Sequence, residues 1–478
     1  MKIHLVFVSL LSAVVYTQQV VIVPESQCRT SCHQNALAFA YTYGFPLYSF
    51  AKYVNPRYLN NETNSLYHSR KLAGADDTGF VRPNADTVYS VAFLDLSEND
   101  IEIQVPDFGE RYWVWPFYDM YANDLANIGS ITNSSAGKYL LRFDSENPGV
   151  VTEGLKGGYK AYLNLPTPYG ITLPRILVEA GTDDIVAVNK LQDGFGMAVL
   201  PRFSPPVAPA LNLSMFSRPE FVYTPGDNTL AEVVLRLTAE LAPYNEPYVK
   251  QDRSWVRQTL LEAGIHYENN SFVQPPDTNL TTAVATANAS NEALQITPGL
   301  TLRLGGNWTC RASRVLGAFG SFYTARYSTA SRGYLALTSE QVTYPVNNDF
   351  VIGKDQAVLF TFSRKPEINK GGFWSLTVYN GEQYLVKNDL NRYALGDRSN
   401  LTFPDGTSYN EEDVDGPFNI IIQANDVPPP SNWTSNWLPA PDGGGEVKIT
   451  LRFYGATDAM TNGDWEYPEV SVVNAIRG

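Results

Sequence analysis

A mainly β protein with a helical middle is the fold class this sequence predicts. It would comprise an N-terminal β-sandwich, a small helical domain and a C-terminal jelly-roll-like β-sandwich. Three observations lead there. Short runs of β-branched and aromatic residues, bounded by Gly, Pro, Asn and Asp, fill residues 80–205 and return after 340. Between them, apolar residues recur at i, i+3 and i+4. The composition agrees: of 478 residues, 44% are hydrophobic, 13% aromatic and only 18% charged, far from the signature of disorder.

Taken in order, residues 1–18 read as a secretory signal peptide. Lys2 and His4 precede an apolar run, LVFVSLLSAVV, which is too short to span a bilayer and has the usual length of a signal h-region. A helix and the first sandwich occupy 19–225. The stretch 34–53 carries helical spacing that Gly44 and Pro46 are expected to break. The runs TVYSVAFLDL, IEIQVPD, RYWVWPFYD, KYLLRF, YKAYLNL and ITLPRILVEA follow without helical patterns between them, which predicts antiparallel strands. The helical domain is placed at 226–335, with helices over 229–242, 252–266 (opened by an Asp cap), 281–295 and 311–330. The last segment, 336–478, holds AVLFTFS, GFWSLTVYN, NIIIQAN and EVKITLRFYGA, joined by long Pro-, Asn- and Gly-rich loops.

Charge and rare residues narrow the function. A net charge of −14 argues against nucleic acid and anionic membranes, which attract basic patches. No stretch beyond the signal is apolar enough to span a membrane. Four His and three Cys leave little material for a zinc or iron–sulfur centre, so no metal and no cofactor is predicted. Nine N-x-S/T sequons fit a secreted glycoprotein: Asn61, Asn133, Asn212, Asn269, Asn279, Asn288, Asn307, Asn400 and Asn432. Asn307 and Asn432, beside Trp308 and Trp433, are expected to stay unmodified. Cys28 and Cys32 are close enough to pair, leaving Cys310 free and buried; a bridge from either to Cys310 is the competing arrangement.

Several longer motifs carry a resemblance. AYTYGFPLY (40–48), HSR (68–70), VRPNADTVYSVAFLDLS (81–97) and YDMYANDLANIGS (118–130) resemble the domain of unknown function twelve-fifty-four. FWSLTVYN (373–380), YLVKNDLNRYALGDR (384–398), NWLPAP (436–441), LRFYG (451–455) and NGDWEYP (462–468) resemble its usual partner, number twelve-fourteen. The resemblance implies the same order of sandwich, helical domain and jelly roll. It implies no reaction.

Two polar clusters are candidates for chemistry. In the first, Arg82 and Asn84 flank Pro83 in a loop, Asp86 leads into a strand, and Thr87 and Tyr89 share one face. Arg82 would anchor a substrate carboxylate and Asp86 serve as acid or base; a buried Arg82–Asp86 pair is the structural alternative. The second holds Asp119, Tyr121 and Asn123 on one strand face, with Asn127 and Gly129 following. It suits a ligand-lined cleft, or a loop held by Asx hydrogen bonds. His68 is the one mature His inside a motif and could be a general base. These residues (Asp86, Asp119 and His68 as catalytic; Arg82, Asn84, Tyr89, Tyr121 and Asn123 as substrate-binding) point to a small organic or sugar-like ligand. Hydrolysis, isomerisation or cyclisation, including tailoring of a secondary metabolite, would need no nucleophile elbow, Walker loop or zinc motif, and none is present. The alternative is a non-catalytic carbohydrate-binding glycoprotein using Tyr393, Asp397, Trp437 and Trp465.

Overall fold

The protein is described by a computed structural model covering residues 32–78, 81–179 and 181–478. The signal peptide and Cys28 of the sequence reading lie outside the described residues. Strand (30%) exceeds helix (24%), so the chain is mainly β with a helical middle.

Helix α1 (Cys32–Val54) runs unbroken through Gly44 and Pro46, contrary to the expected break. Its packing explains this. Most of the helix is buried, and a Cβ at Gly44 would stand 1.7 Å from Thr238 Oγ1, so a neighbouring helix passes in near contact. That burial outweighs the roughly 3 kcal/mol penalty of an interior proline.

The N-terminal strands are β1 (Tyr67–His68), β2 (Thr87–Asp95), β3 (Asn99–Val105), β4 (Trp113–Asp119), β5 (Asp124–Gly129) and β6 (Gly137–Phe143). They continue as β7 (Gly149–Val151), β8 (Tyr162–Leu165), β9 (Tyr169–Thr172), β10 (Arg175–Leu177) and β11 (Gly196–Pro201). One sheet has the order β1-β2-β10-β4-β5, with β9 pairing β2 and β4; the other is β11-β3-β6-β8-β7. Trp113, Trp115 and Phe117 point between the sheets, whereas Tyr112, Val114 and Tyr118 face outward. Two features depart from expectation. Strands β6 and β8 are parallel, and helix α2 (Gly181–Asp193) precedes β11. Among its described side chains α2 buries little beyond Val188 and Gln192, too few to print a helical period.

The helical middle holds α3 (Leu230–Leu241), α4 (Arg253–Glu262), α5 (Leu280–Ile296) and α6 (Tyr323–Arg332), with small hairpins β12 (Ile265–His266)–β13 (Ser271–Phe272) and β14 (Thr301–Arg303)–β15 (Thr309–Arg311). Thr229 and Glu232 close a capping box on α3. Asp252 makes no side-chain cap on α4; its carboxylate accepts instead from Trp255 Nε1 (3.0 Å) and the Tyr323 hydroxyl (2.6 Å). The helix expected over 311–330 shrinks to α6, because Gly317 and Gly320 take φ of 76° and 57°.

The C-terminal strands are β16 (Val342–Thr343), β17 (Phe350–Gly353), β18 (Gln356–Phe362), β19 (Ile368–Asn380), β20 (Ala394–Gly396), β21 (Phe418–Ala424), β22 (Trp437–Ala440), β23 (Gly444–Ala456) and, after α7 (Asp458–Asn462), β24 (Glu469–Asn474). They form two sheets, β16-β23-β19-β20 with β17 on β23, and β22-β21-β18-β24. Trp374, Phe418 and Trp465 fill the core between them. A separate apolar core joins α1, α3 and α6 to the outer face of the β2–β10–β4 sheet and reaches Phe373 and Tyr454 of the C-terminal sandwich. The two sandwiches therefore meet along a seam, and the polar residues of interest lie in it.

Candidate functional site at the seam between the sandwiches

Three strand runs that should be wholly apolar carry a buried charge: Asp124 opening β5, Arg175 on β10 and Arg452 on β23. Together with Asp86 they mark a polar band across the seam. Asp86, 4% exposed, accepts from Ser375 Oγ and Arg398 Nη2, both at 2.6 Å, so its partner is Arg398 rather than Arg82. Arg398 also meets Asp397 at 2.9 Å. Burial pushes the Asp397 carboxyl up to about 6, against the pull of Arg398. Asn84 donates to the Tyr454 hydroxyl at 2.6 Å. Arg452 donates to Thr377 Oγ1 (2.8 Å) and the Tyr379 hydroxyl (2.7 Å), and Tyr379 donates to the Pro83 carbonyl (2.9 Å). Arg82, half-buried with φ 50°, reaches a loop of the C-terminal sandwich instead, its Nε on Gln383 Oε1 at 2.9 Å.

The other end of the band is less complete. Arg175 pairs in register with Tyr89 and Val114, so Tyr89, Arg175, Tyr112 and Tyr118 share the outward face of the first sheet. Tyr344 and Tyr454 cover them from the C-terminal side. Arg175 is 4% exposed, stacks 5.2 Å from the Tyr89 ring and is hydrogen-bonded to the Tyr344 side chain. Its Nε has no partner, nor do the hydroxyls of Tyr112, Tyr118, Thr87 and Thr343. Burial raises Tyr112, Tyr118, Tyr344 and Tyr454 above the usual phenol range, so all four stay neutral at physiological pH.

Asp124 stands directly opposite Tyr118 in the β4–β5 ladder, at the edge of this buried polar face. It lines a cleft of about 480 Å³ with Asn127, Asn133, Lys160, Glu340 and Gln341, a size suited to a small ligand. Asp124 Oδ2 accepts from Asn127 Nδ2 and the Thr338 N–H, both at 3.0 Å, while Oδ1 has no partner. Burial pushes its carboxyl up to about 7, opposed by those two hydrogen bonds. A carboxyl titrating near neutrality can both give and take a proton.

The remaining sequence candidates are placed elsewhere. Asp119 closes its own hairpin, accepting from the Asn123 N–H (2.9 Å) and Nδ2 (2.7 Å), with Ala122 at φ 67°. Tyr121 donates to the Asn245 carbonyl at 3.0 Å and walls Arg326, whose guanidinium lies 4.4–4.9 Å from the rings of Tyr43, Tyr121 and Tyr323. His68 Nδ1 meets Ser90 Oγ at 2.7 Å, but Ser90 is 2% exposed and also takes a bond from Gln192 Nε2. Burial lowers the His68 pKa. Trp437 and Trp465 are 4% and 1% exposed, so neither offers a face to a sugar ring. Among the sequons, every Asn except the half-buried Asn61 is exposed, Asn307 and Asn432 included. Cys310 is a free, buried thiol, which removes the arrangement that bridged it to Cys28 or Cys32. Among the described residues no group of three or more His, Cys, Asp or Glu could hold a metal ion, and no helix is long and apolar enough to cross a membrane.

The two halves of the seam coincide with two family matches. Residues 63–199 match the model described as protein of unknown function (DUF1254), and residues 353–458 that described as protein of unknown function (DUF1214). The chain belongs to the family that pairs them. Asp86, Asp124 and Arg175 thus fall in the DUF1254 match, and Ser375, Arg398 and Arg452 in the DUF1214 match. The VPA0106 protein from Vibrio parahaemolyticus shares the fold at 20% identity and TM-score 0.61, over 92% of this chain and 100% of that one. An uncharacterised protein from Burkholderia cenocepacia aligns at 11% identity and TM-score 0.42, over 91% of this chain and 88% of its own. No curated protein matches the chain.

Proposed function

We propose that this DUF1254–DUF1214 chain is a secreted, N-glycosylated, cofactor-independent enzyme. It would move a proton on a small organic or sugar-like substrate, with Asp124 as the proton carrier. The observation behind this reading is a buried carboxyl with one unpartnered oxygen, pushed up to about 7 by its burial, that lines a cleft of about 480 Å³. Neutral Asp124 would protonate a leaving or carbonyl oxygen, and ionised Asp124 would take a proton back. Redox-neutral isomerisation or cyclisation fits better than serine hydrolysis, because the one Ser–His contact involving His68 is buried and already engaged. Exposed asparagines in eight of the nine sequons support the glycoprotein part of the proposal.

Two measurements test it. The first titrates the Asp124 carboxyl by ¹³C NMR, comparing wild type with Asp124→Asn to assign the signal. The second follows turnover of 4-nitrophenyl glycosides, aryl esters and enolisable lactones against pH. The carboxyl should titrate near 7, and Asp124→Asn should lower turnover of an accepted compound by about 10²–10⁴-fold without lowering its melting temperature. An Asp124 titration near the ordinary value of about 4, or undiminished turnover in Asp124→Asn, overturns the proposal.

A further inference from the structure

The sheet face beside Asp124 carries polar atoms that the protein itself does not use. Arg175 Nε and the hydroxyls of Tyr112 and Tyr118 are buried donors without a partner, on residues 4%, 2% and 0% exposed. They share the outer face of one sheet: Arg175 lies opposite Val114, which stands between Tyr112 and Tyr118 along the chain. Leaving a buried donor unmade costs more than the net worth of an ordinary hydrogen bond. The rest of the seam shows that the chain can satisfy buried donors here, since Arg452, equally 4% exposed, spends its guanidinium on Thr377 and Tyr379. Neutral phenols surround Arg175 here, and the Asp124 carboxyl stands opposite Tyr118 and lines the neighbouring cleft.

We infer that Arg175, Tyr112 and Tyr118 form an oxyanion-binding subsite, and that the ligand carries a carboxylate or an enolisable carbonyl whose oxygen they hold. Fixed donors of this kind, out of water, suit negative charge that is present or develops on oxygen. The inference rests on the reading of Asp124 as proton carrier and names the substrate class for that site. With an enolisable carbonyl the step balances within the substrate. Ionised Asp124 takes a proton from the carbon next to the carbonyl, the C–H electrons form the enolate, and its oxygen sits on Arg175 and the tyrosines. Return of the proton to the other face of that carbon, or through the dienolate to the γ-carbon where the substrate has a β,γ-double bond, regenerates ionised Asp124.

Binding is tested on the full glycoprotein with four probes: acetate and benzoate against their neutral counterparts acetamide and benzamide, titrated by NMR. At least one carboxylate should bind saturably and more tightly than its amide. Arg175→Met and Tyr118→Phe should each weaken it about tenfold. Tyr118→Phe removes only an unpartnered hydroxyl, so its melting temperature should hold or rise; a purely structural hydroxyl would instead lower it and leave binding alone. Absence of saturable carboxylate binding, equal binding of the amides, or binding unchanged in Tyr118→Phe overturns the inference. Asp124→Asn separates the two ideas, since it should abolish proton transfer while keeping or tightening carboxylate binding. Loss of turnover with retained binding therefore sustains the subsite, and intact turnover in Asp124→Asn with no carboxylate binding removes both.

Discussion

Asp86 and Asp124 are both buried carboxyls on the first sandwich, 4% and 2% exposed, and both face the seam. Asp86 is fully engaged by an arginine and a serine of the other sandwich. Asp124 has a backbone N–H and an amide for partners, and one oxygen with none. Arg452 and Arg175 repeat the contrast among cations. One end of the seam is therefore a clamp, and the other holds unspent polarity beside a cleft. A buried charge is a structural device where its partners are complete, and a candidate for chemistry where they are not.

The contrast can be broken at the clamp first. Arg398→Ala strands Asp86 in the interior, so denaturant unfolding should show a loss of about 3–5 kcal/mol. The double variant with Asp86→Ala should lose less than the sum of the single losses. If Arg398→Ala is nearly neutral, the clamp is not one.

Acid–base titration probes the other end. The folded pKa of Asp124, about 7, lies above its unfolded value. Its stabilising contribution is therefore complete below about pH 4 and is lost as the pH rises toward 7. Over that window the loss is on the order of 4 kcal/mol at most. Asp124→Asn keeps an oxygen to accept from Asn127 and Thr338 and should flatten this part of the stability–pH curve. An unchanged slope would show that Asp124 titrates like an ordinary surface acid.

The smallest effect is expected at Arg82. Its Nε bond to Gln383 is on the periphery of the band, and Arg82→Ala should cost about 1–2 kcal/mol while leaving carboxylate binding intact. A large loss of binding would move the ligand site toward the clamp.

The class of fold was legible because its signals are local. Alternating aromatics and β-branched residues print strands, and Thr229 with Glu232 prints a helix start. Helix α1 was less so, since what carries it past Gly44 and Pro46 is contact with α3, nearly 200 residues away. The motif around Arg82, Asn84, Asp86 and Tyr89 does reach the seam, but its partners at 375, 398 and 454 have no local signal. Asp124, five residues beyond Asp119, is not among the candidates that the sequence yields. Strand spacing puts Asp119, Tyr121 and Asn123 on one face, although Ala122 with positive φ makes them a turn. The available signal is a charge at the head of a run that otherwise buries apolar residues: Asp124 opens the strand whose Ala126 and Ile128 are buried. Arg175 in TLPRILV and Arg452 in ITLRFYG carry the same mark.

The Asn84–Tyr454 bond joins residues 370 apart in the chain, and this has a consequence for synthesis. Domains fold from the N-terminus as the chain emerges, so the first sandwich can assemble long before its seam partners exist. Arg175 and Asp124 would then wait, uncovered and wet, until Tyr344 and Tyr454 arrive. A chain cut short before residue 454 would lack the cover that Tyr454 gives this polar face of the first sheet. The seam thus cannot close before β23 has been made, and the slow long-range closure expected of such contacts sets when Arg175 and Asp124 leave water.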